Sequence, residues 1–159
     1  MNPSFLLADE QATEALASRA ARQVVQGAAP LVLHLEGDLG AGKTTFARGM
    51  LRALGESGPV RSPTYGLLSE YHTPRGRVVH MDLYRMRSPA ELAALGLDDL
   101  LPGSLLWLVE WPEKGAGGVM PAADALLRLV VVDGGRRLHA EALTEAGRHY
   151  LHAVYADTG

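Results

Sequence analysis

Residues 34–50 read HLEGDLGAGKTTFARGM, and this stretch decides the fold. The run APLVLHLE that leads into it from Ala29 is short, apolar and rich in strand formers. After the glycines, TTFARGMLRAL has the apolar spacing of a helix, with Phe46, Met50 and Leu54 on one face. The sequence therefore predicts a strand, a glycine loop and a helix in direct succession.

The glycine loop carries Lys43, one of only two lysines in the chain. From Gly37 to Thr44 the residues satisfy G-x-x-x-x-G-K-S/T, the phosphate-binding P-loop pattern. Glycines let backbone N–H groups approach phosphate oxygens, and the N-terminus of the following helix attracts anions. Lys43 can reach the β- and γ-phosphates of a nucleotide, and the Thr44 hydroxyl can bind the bridging Mg²⁺. A chance match is disfavoured because the flanking strand and helix are both predicted.

Composition restricts the class of protein. The 159 residues are 47% hydrophobic and 21% charged, which is typical of a globular chain and excludes disorder as the main interpretation. A net charge of -3 argues against bulk electrostatic binding of nucleic acid, so we expect any RNA to be engaged locally or indirectly. Without cysteine, disulfides, thiolate zinc sites and a cysteine nucleophile are excluded. With no signal-peptide pattern and no apolar run near the roughly 20 residues of a membrane span, we expect a cytoplasmic protein without a membrane partner.

The remaining pattern predicts helices and strands within a single domain over residues 1–159. Helices are expected over 9–25, 88–96 and 144–155, the second of them with a capping box. Two antiparallel hairpins are expected, GLLSEYH with RVVHMDLY and ALLRLVVVD with RRLHAEAL. The run SLLWLVEW from Ser104 is apolar enough for a strand buried on both faces.

Acidic residues end two of the predicted strands. Asp82 follows RVVHM and Glu110 follows LLWLV, so both can lie at the sheet edge that carries the glycine loop. A P-loop needs a second carboxylate near its metal, and these two are the candidates. An ordinary charge at a strand end is the alternative for each. The chain also lacks the N-K-x-D motif of GTPases, because its only asparagine is Asn2, and this favours ATP over GTP.

Further motifs accompany the loop. DEQAT, GDLGAGKTTFARGML, SPTYGLLSEY, HMDLYR, SPAELAALG and LVEWPEKG occur in an order and spacing that resembles the TsaE family, also called YjeE, of bacterial tRNA-modification ATPases. The resemblance covers nearly the whole chain and weakens after about Asp133. It implies a three-layer α/β, P-loop NTPase-like fold, with a central mixed, largely parallel sheet, helices on both faces and antiparallel hairpins.

The resemblance also implies a function. Proteins of this family bind and hydrolyse ATP with Mg²⁺, weakly alone, and their ATP cycle supports a complex of TsaB and TsaD. That complex makes N6-threonylcarbamoyladenosine (t6A) on tRNA, so the tRNA is reached indirectly. Two alternatives stay open: a small-molecule kinase that uses the same P-loop, and a nucleotide-dependent binding module with negligible turnover. Trp111 also stays open between a packing role and a functional one.

Site residues follow from the resemblance motif by motif. Thr44 and Glu110 are the expected magnesium ligands, and Asp82 is expected to orient water or metal at the γ-phosphate. Thr64, within SPTY, resembles part of a switch that senses this phosphate, so the expected catalytic set is Lys43, Asp82 and Thr64. The expected nucleotide contacts are Thr13, Asp38, Leu39, Gly40, Ala41, Gly42, Lys43, Thr44, Thr45 and Arg136.

Overall fold

The structure is a computed structural model that describes residues 2–63 and 67–157, so the predicted sensor Thr64 lies outside the described residues. The described residues form one seven-stranded sheet in the order β1-β7-β6-β2-β5-β4-β3. The strands are β1 (Ser4–Leu7), β2 (Leu31–Glu36), β3 (Leu68–Thr73), β4 (Gly76–Asp82), β5 (Ser104–Glu110), β6 (Ala125–Val132) and β7 (Gly135–Ala142). The helices are α1 (Glu10–Arg22), α2 (Lys43–Ala53), α3 (Leu97–Leu100) and α4 (Glu145–Ala156), with 3₁₀ helices at Pro89–Leu95 and Pro112–Gly115.

Parallel pairing occupies the centre of the sheet. Strands β6, β2, β5 and β4 run parallel to one another. Strands β1 and β7 extend one edge by antiparallel pairing, and β3 extends the other edge as a hairpin with β4. The predicted mixed α/β sheet and both predicted hairpins are confirmed. The sheet is largely parallel by strand direction, because β1 runs with the four central strands and, within the described residues, only β3 and β7 run the opposite way.

The two faces of the sheet bury different cores. Side chains alternate along β5, so Leu106 and Leu108 join the core with α1, α2 and α4, whereas Trp107 and Val109 join the opposite core. That second core is closed by the 3₁₀ helix Pro89–Leu95 and by α3. Long helices therefore cover one face, and short helical segments cover the other. Within the described residues, no helix combines the length and the apolar character needed to cross a bilayer.

Local capping explains where the helical segments begin. Asp9 Oδ1 accepts a hydrogen bond from Ala12 N at 2.8 Å at the start of α1, as the sequence predicts. The predicted capping box at Ser88 is also present. Gly96, at φ 66°, ends that segment after seven residues, as the sequence predicts, and the segment is a 3₁₀ helix. Strand β1 was not predicted, because its four residues show no clear alternation and form a strand only by pairing with the edge of β7.

Gly147 gives a stability prediction in which structure and helix propensity disagree. In α4, propensity alone favours alanine over glycine by about 1 kcal/mol. A Cβ at Gly147 would overlap the backbone oxygen of Asp124, which is fixed by hydrogen bonds from the N–H groups of Leu143 and Thr144. We expect Gly147→Ala to lower the free energy of unfolding in urea by at least about 2 kcal/mol, and exposed His152→Ala to change it by less than about 0.5 kcal/mol. A stabilised Gly147→Ala variant would contradict the close approach.

Candidate functional site

The glycine loop, residues 37–42, joins the C-terminal end of β2 to the first residue of α2. Gly40 and Gly42 have φ angles of 77° and 110°, which favour glycine, and a Cβ at either position would meet no heavy atom within 4 Å. At Gly37 a Cβ would lie 2.6 Å from the backbone oxygen of Leu129. The loop is therefore held against β6 at its start and open where α2 begins. The first N–H groups of α2 have no acceptor within the helix and are available at this opening.

Two cavities meet beside the loop and share Gly40, Gly42 and Thr45 in their linings. The first, here the lysine cavity, has a volume of about 230 Å³. It brings together the predicted residues Leu39, Lys43, Thr44, Asp82 and Glu110. The second, here the arginine cavity, has a volume of about 170 Å³ and brings together Thr13 and Arg136.

Lys43 is folded back onto the loop and is only 5% exposed. Its Nζ donates hydrogen bonds to the backbone oxygens of Gly37 and Asp38, the second at 2.9 Å. It also lies 4.3 Å from the centroid of the Trp111 ring, a cation–π distance. Burial lowers the pKa of Lys43, and nearby carboxylates, led by Glu110, oppose this shift. The lysine is therefore held by neutral acceptors that an anionic ligand can replace.

Glu110 ends β5 as a carboxylate that is 2% exposed. Its Oε1 accepts a hydrogen bond from Thr44 Oγ1 at 3.0 Å, and its Oε2 lies 2.6 Å from Nε2 of His80. Thr44 Oγ1 is also 2.8 Å from Ser62 Oγ. The structure thus places the two predicted magnesium ligands, Thr44 and Glu110, in direct contact.

Asp82 ends β4 and lies opposite Glu110 in the parallel register of β4 and β5. Its Oδ1 accepts a hydrogen bond from Tyr84 N at 3.0 Å, and both residues line the lysine cavity. Because the carboxyl ends of parallel strands meet at one sheet edge, the two candidate carboxylates reach the same cavity. The sequence predicted this common edge.

Thr13 and Arg136 come from distant parts of the chain. Thr13 lies on α1, is 4% exposed, and its hydroxyl donates to the Asp9 backbone oxygen at 3.3 Å. Arg136, near the start of β7, donates to the backbone oxygen of Gly40 at 3.1 Å. Arg136 therefore connects the C-terminal hairpin directly to the glycine loop, at a position where the sequence motifs are weak.

Two predicted nucleotide contacts line neither of these cavities. Asp38 and Ala41 border a third cavity of about 360 Å³, which also contacts Glu36 and Arg128. Arg128 is paired with Glu36 there, with 3.2 Å between Nη2 and Oε1. The contacts predicted for Asp38 and Ala41 were through the loop backbone, so they stay predictions.

Comparison with known proteins identifies the family. The family model described as "Threonylcarbamoyl adenosine biosynthesis protein TsaE" matches residues 7–138. The chain belongs to the TsaE family. The Haemophilus influenzae "tRNA threonylcarbamoyladenosine biosynthesis protein TsaE" is 42% identical over 123 residues, 77% of each chain. The protein of the same name from Rickettsia prowazekii is 43% identical over 108 residues, 67% of this chain and 74% of the relative.

A solved structure supports the fold of this TsaE chain. The crystal structure of Bacillus subtilis YdiB superposes with a TM-score of 0.72 at 29% sequence identity. The similarity covers 98% of this chain and 93% of that one. The resemblance to TsaE proteins, drawn from the motifs, is therefore confirmed, as is the α/β sheet.

Three further residues of the candidate site were not predicted as site residues. They are Ser62, which belongs to the motif SPTY, His80, which lies two residues before Asp82, and Tyr84, which lies two residues after it. Trp111, which was left open, packs on Tyr84 with 4.9 Å between ring centroids and lines the lysine cavity. It is the only non-glycine residue with positive φ, 57°, in the described part of the chain. Such backbone costs about 1–3 kcal/mol and persists where the surroundings impose it, so Trp111 is part of the cavity wall.

Proposed function

We propose that this protein is an ATPase with a P-loop NTPase-like site that supports threonylcarbamoylation of tRNA. The observation that carries the proposal is the hydrogen bond between Thr44, in the first turn of α2, and Glu110, at the end of β5, beside the open glycines of the loop. A nucleotide–magnesium site needs a hydroxyl and a carboxylate for the metal and a glycine loop for the phosphates, all in one place. The family description and the names of the relatives supply the biological process.

The residues present fit the proposed ligands. Open glycines and the first N–H groups of α2 offer donors to phosphate oxygens. Thr44 and Glu110 offer hard oxygen ligands, which Mg²⁺ prefers. When bound, the metal neutralises charge on the β- and γ-phosphate oxygens. The arginine cavity is then the place for the nucleoside, beside Thr13 and Arg136.

For hydrolysis, the side chains of the lysine cavity take separate roles. Lys43 leaves the backbone oxygens of Gly37 and Asp38 and pairs with the γ-phosphate, because a charge-assisted contact is stronger than one to a neutral carbonyl. Asp82 orients the attacking water, and Thr64 remains the proposed sensor. The water oxygen bonds to the γ-phosphorus, its protons pass to a phosphate oxygen and to solvent, the bond from phosphorus to the β,γ-bridging oxygen breaks, and ADP and orthophosphate are released.

Homologues of TsaB and TsaD are the proposed partners, and tRNA is reached through them. The deciding experiment is reconstitution of threonylcarbamoyl transfer onto tRNA with TsaB and TsaD, with and without this protein. We expect repeated formation of the modified nucleoside only when this protein and hydrolysable ATP are present. An equal yield in its absence would overturn the proposal.

The same assay separates ATP hydrolysis from the alternatives. With γ-labelled ATP, the label is expected in orthophosphate, at a rate that rises when TsaB and TsaD are added. Label transferred to a small metabolite would indicate a kinase instead. Nucleotide binding without turnover, even with both partners present, would indicate a binding module.

Arg136 provides a prediction for the arginine cavity. We expect Arg136→Ala to weaken ATP binding about tenfold in titration calorimetry, since it removes a charged donor beside the nucleotide. It also removes the hydrogen bond to Gly40. Arg137→Ala is the matched control, because Arg137 donates to Ser4 Oγ at 3.2 Å and lines neither cavity. Equal affinity of the two variants would exclude Arg136 from the site.

A further inference from the structure

A buried histidine lies behind the expected metal ligand. His80, on β4, is 0% exposed, and its Nε2 lies 2.6 Å from Oε2 of Glu110. A carboxylate only accepts hydrogen bonds, so Nε2 carries the hydrogen and donates it. The other ring nitrogen, Nδ1, is buried and has no hydrogen-bond partner among the described residues. The contact with Glu110 therefore accounts for the polar interactions of this imidazole within residues 2–63 and 67–157.

The contact divides the two carboxylate oxygens of Glu110 between two partners. His80 holds Oε2, and Oε1 is left facing the Thr44 hydroxyl at 3.0 Å. Thr44 lines the lysine cavity, whereas His80 does not. One oxygen is thus anchored inside the protein, and the other is presented to the side where a magnesium ion would bind.

We propose that His80 is a positioning residue for Glu110, the magnesium ligand of the proposed ATPase, and the inference rests on that proposed function. His80 fixes the rotation of the carboxylate and supplies one of the two side-chain hydrogen bonds that Glu110 makes with the described residues. Partners behind a metal ligand typically change metal affinity by about 10–100-fold when they are lost. Without the imidazole, the buried Glu110 carboxylate has one hydrogen-bond donor fewer, so its orientation toward the Thr44 side is less strongly fixed.

The test compares two substitutions that differ in one donor. In His80→Gln the side-chain amide nitrogen can reach the position of Nε2 and donate to Glu110, whereas His80→Leu fills the space without a donor. ATP affinity is measured for each variant in EDTA and across a magnesium titration. We expect His80→Leu to raise the magnesium concentration for half-maximal effect at least about tenfold, and His80→Gln to stay within about threefold of wild type. In EDTA, where no metal is bound, all three should bind ATP within about twofold of one another.

Two controls separate positioning from general damage to the core. His34→Leu removes a half-buried imidazole, from β2, for which the structure shows no hydrogen bond or ion pair to Glu110 among the described residues, and it should leave the magnesium dependence unchanged. If His80→Leu does not fold, His80→Asn replaces it, because its shorter amide keeps a polar group near Nδ1 but cannot reach Glu110. If folded His80→Leu or His80→Asn shows the same magnesium dependence as wild type, the positioning role of His80 is overturned and the proposed function is not. If the ATP affinity of the wild-type protein does not change across the magnesium titration, the proposed function itself is overturned.

Discussion

Lys43→Ala is expected to lower ATP hydrolysis by at least about 100-fold, the loss typical of removing one preorganised donor to transition-state charge. In the structure the ammonium group of Lys43 donates hydrogen bonds to the backbone oxygens of Gly37 and Asp38 and lies over the Trp111 ring. It needs only to exchange these neutral partners for phosphate oxygens. The chain contains one other lysine, Lys114, so no second ammonium lies in the loop to replace it. Release of labelled orthophosphate in the presence of TsaB and TsaD measures the effect.

Lys114→Ala is the matched control for this prediction. Lys114 is exposed and lies 5.2 Å from the centroid of the Tyr84 ring, outside the glycine loop. We expect its loss to change turnover by less than about twofold, because an exposed cation–π contact contributes little. Alanine is a good helix former at the first position of α2, so Lys43→Ala should unfold in urea close to wild type. Turnover of Lys43→Ala within tenfold of wild type would refute the proposed role.

The fold was predictable where the pattern is local. The succession of β2, glycine loop and α2 follows from residues adjacent in sequence, and so do the two hairpins and the cap at Asp9. The sequence fails where a distant residue decides. Strand β1 forms only because β7 offers an open edge, and the pattern within Ser4–Leu7 carries no information about that neighbour.

The candidate site was likewise predictable where its residues belong to a contiguous motif or end a predicted strand. Lys43 and Thr44 follow from a contiguous motif, and Glu110 follows from its position at the end of an apolar strand. His80 could not be found in this way, because its partner Glu110 is 30 residues away and only the register of β4 and β5 brings them together. The left-handed backbone of Trp111 is likewise a consequence of packing rather than of residue type.

Glu110→Gln is the second substitution with a large expected effect. Glutamine keeps the shape of the side chain and can accept from His80 while it donates to Thr44, so we expect the fold to be retained. The charge that would bind Mg²⁺ is lost, and with it the largest of the contributions that oppose the lowered pKa of Lys43. Both changes weaken stabilisation of the phosphate charge. We therefore expect magnesium-dependent hydrolysis to fall about 100-fold.

Glu113→Gln provides the isosteric control three residues further along. Glu113 is exposed and borders the third cavity rather than the lysine cavity, so its neutralisation should change turnover by less than about twofold, as for an exposed surface charge. ATP affinity in EDTA should be within about threefold of wild type for both variants, because the loop donors to phosphate remain. The decisive measurement is the magnesium titration. If Glu110→Gln reaches its half-maximal rate at the wild-type magnesium concentration, Glu110 is not a ligand, and the contact with Thr44 is only structural.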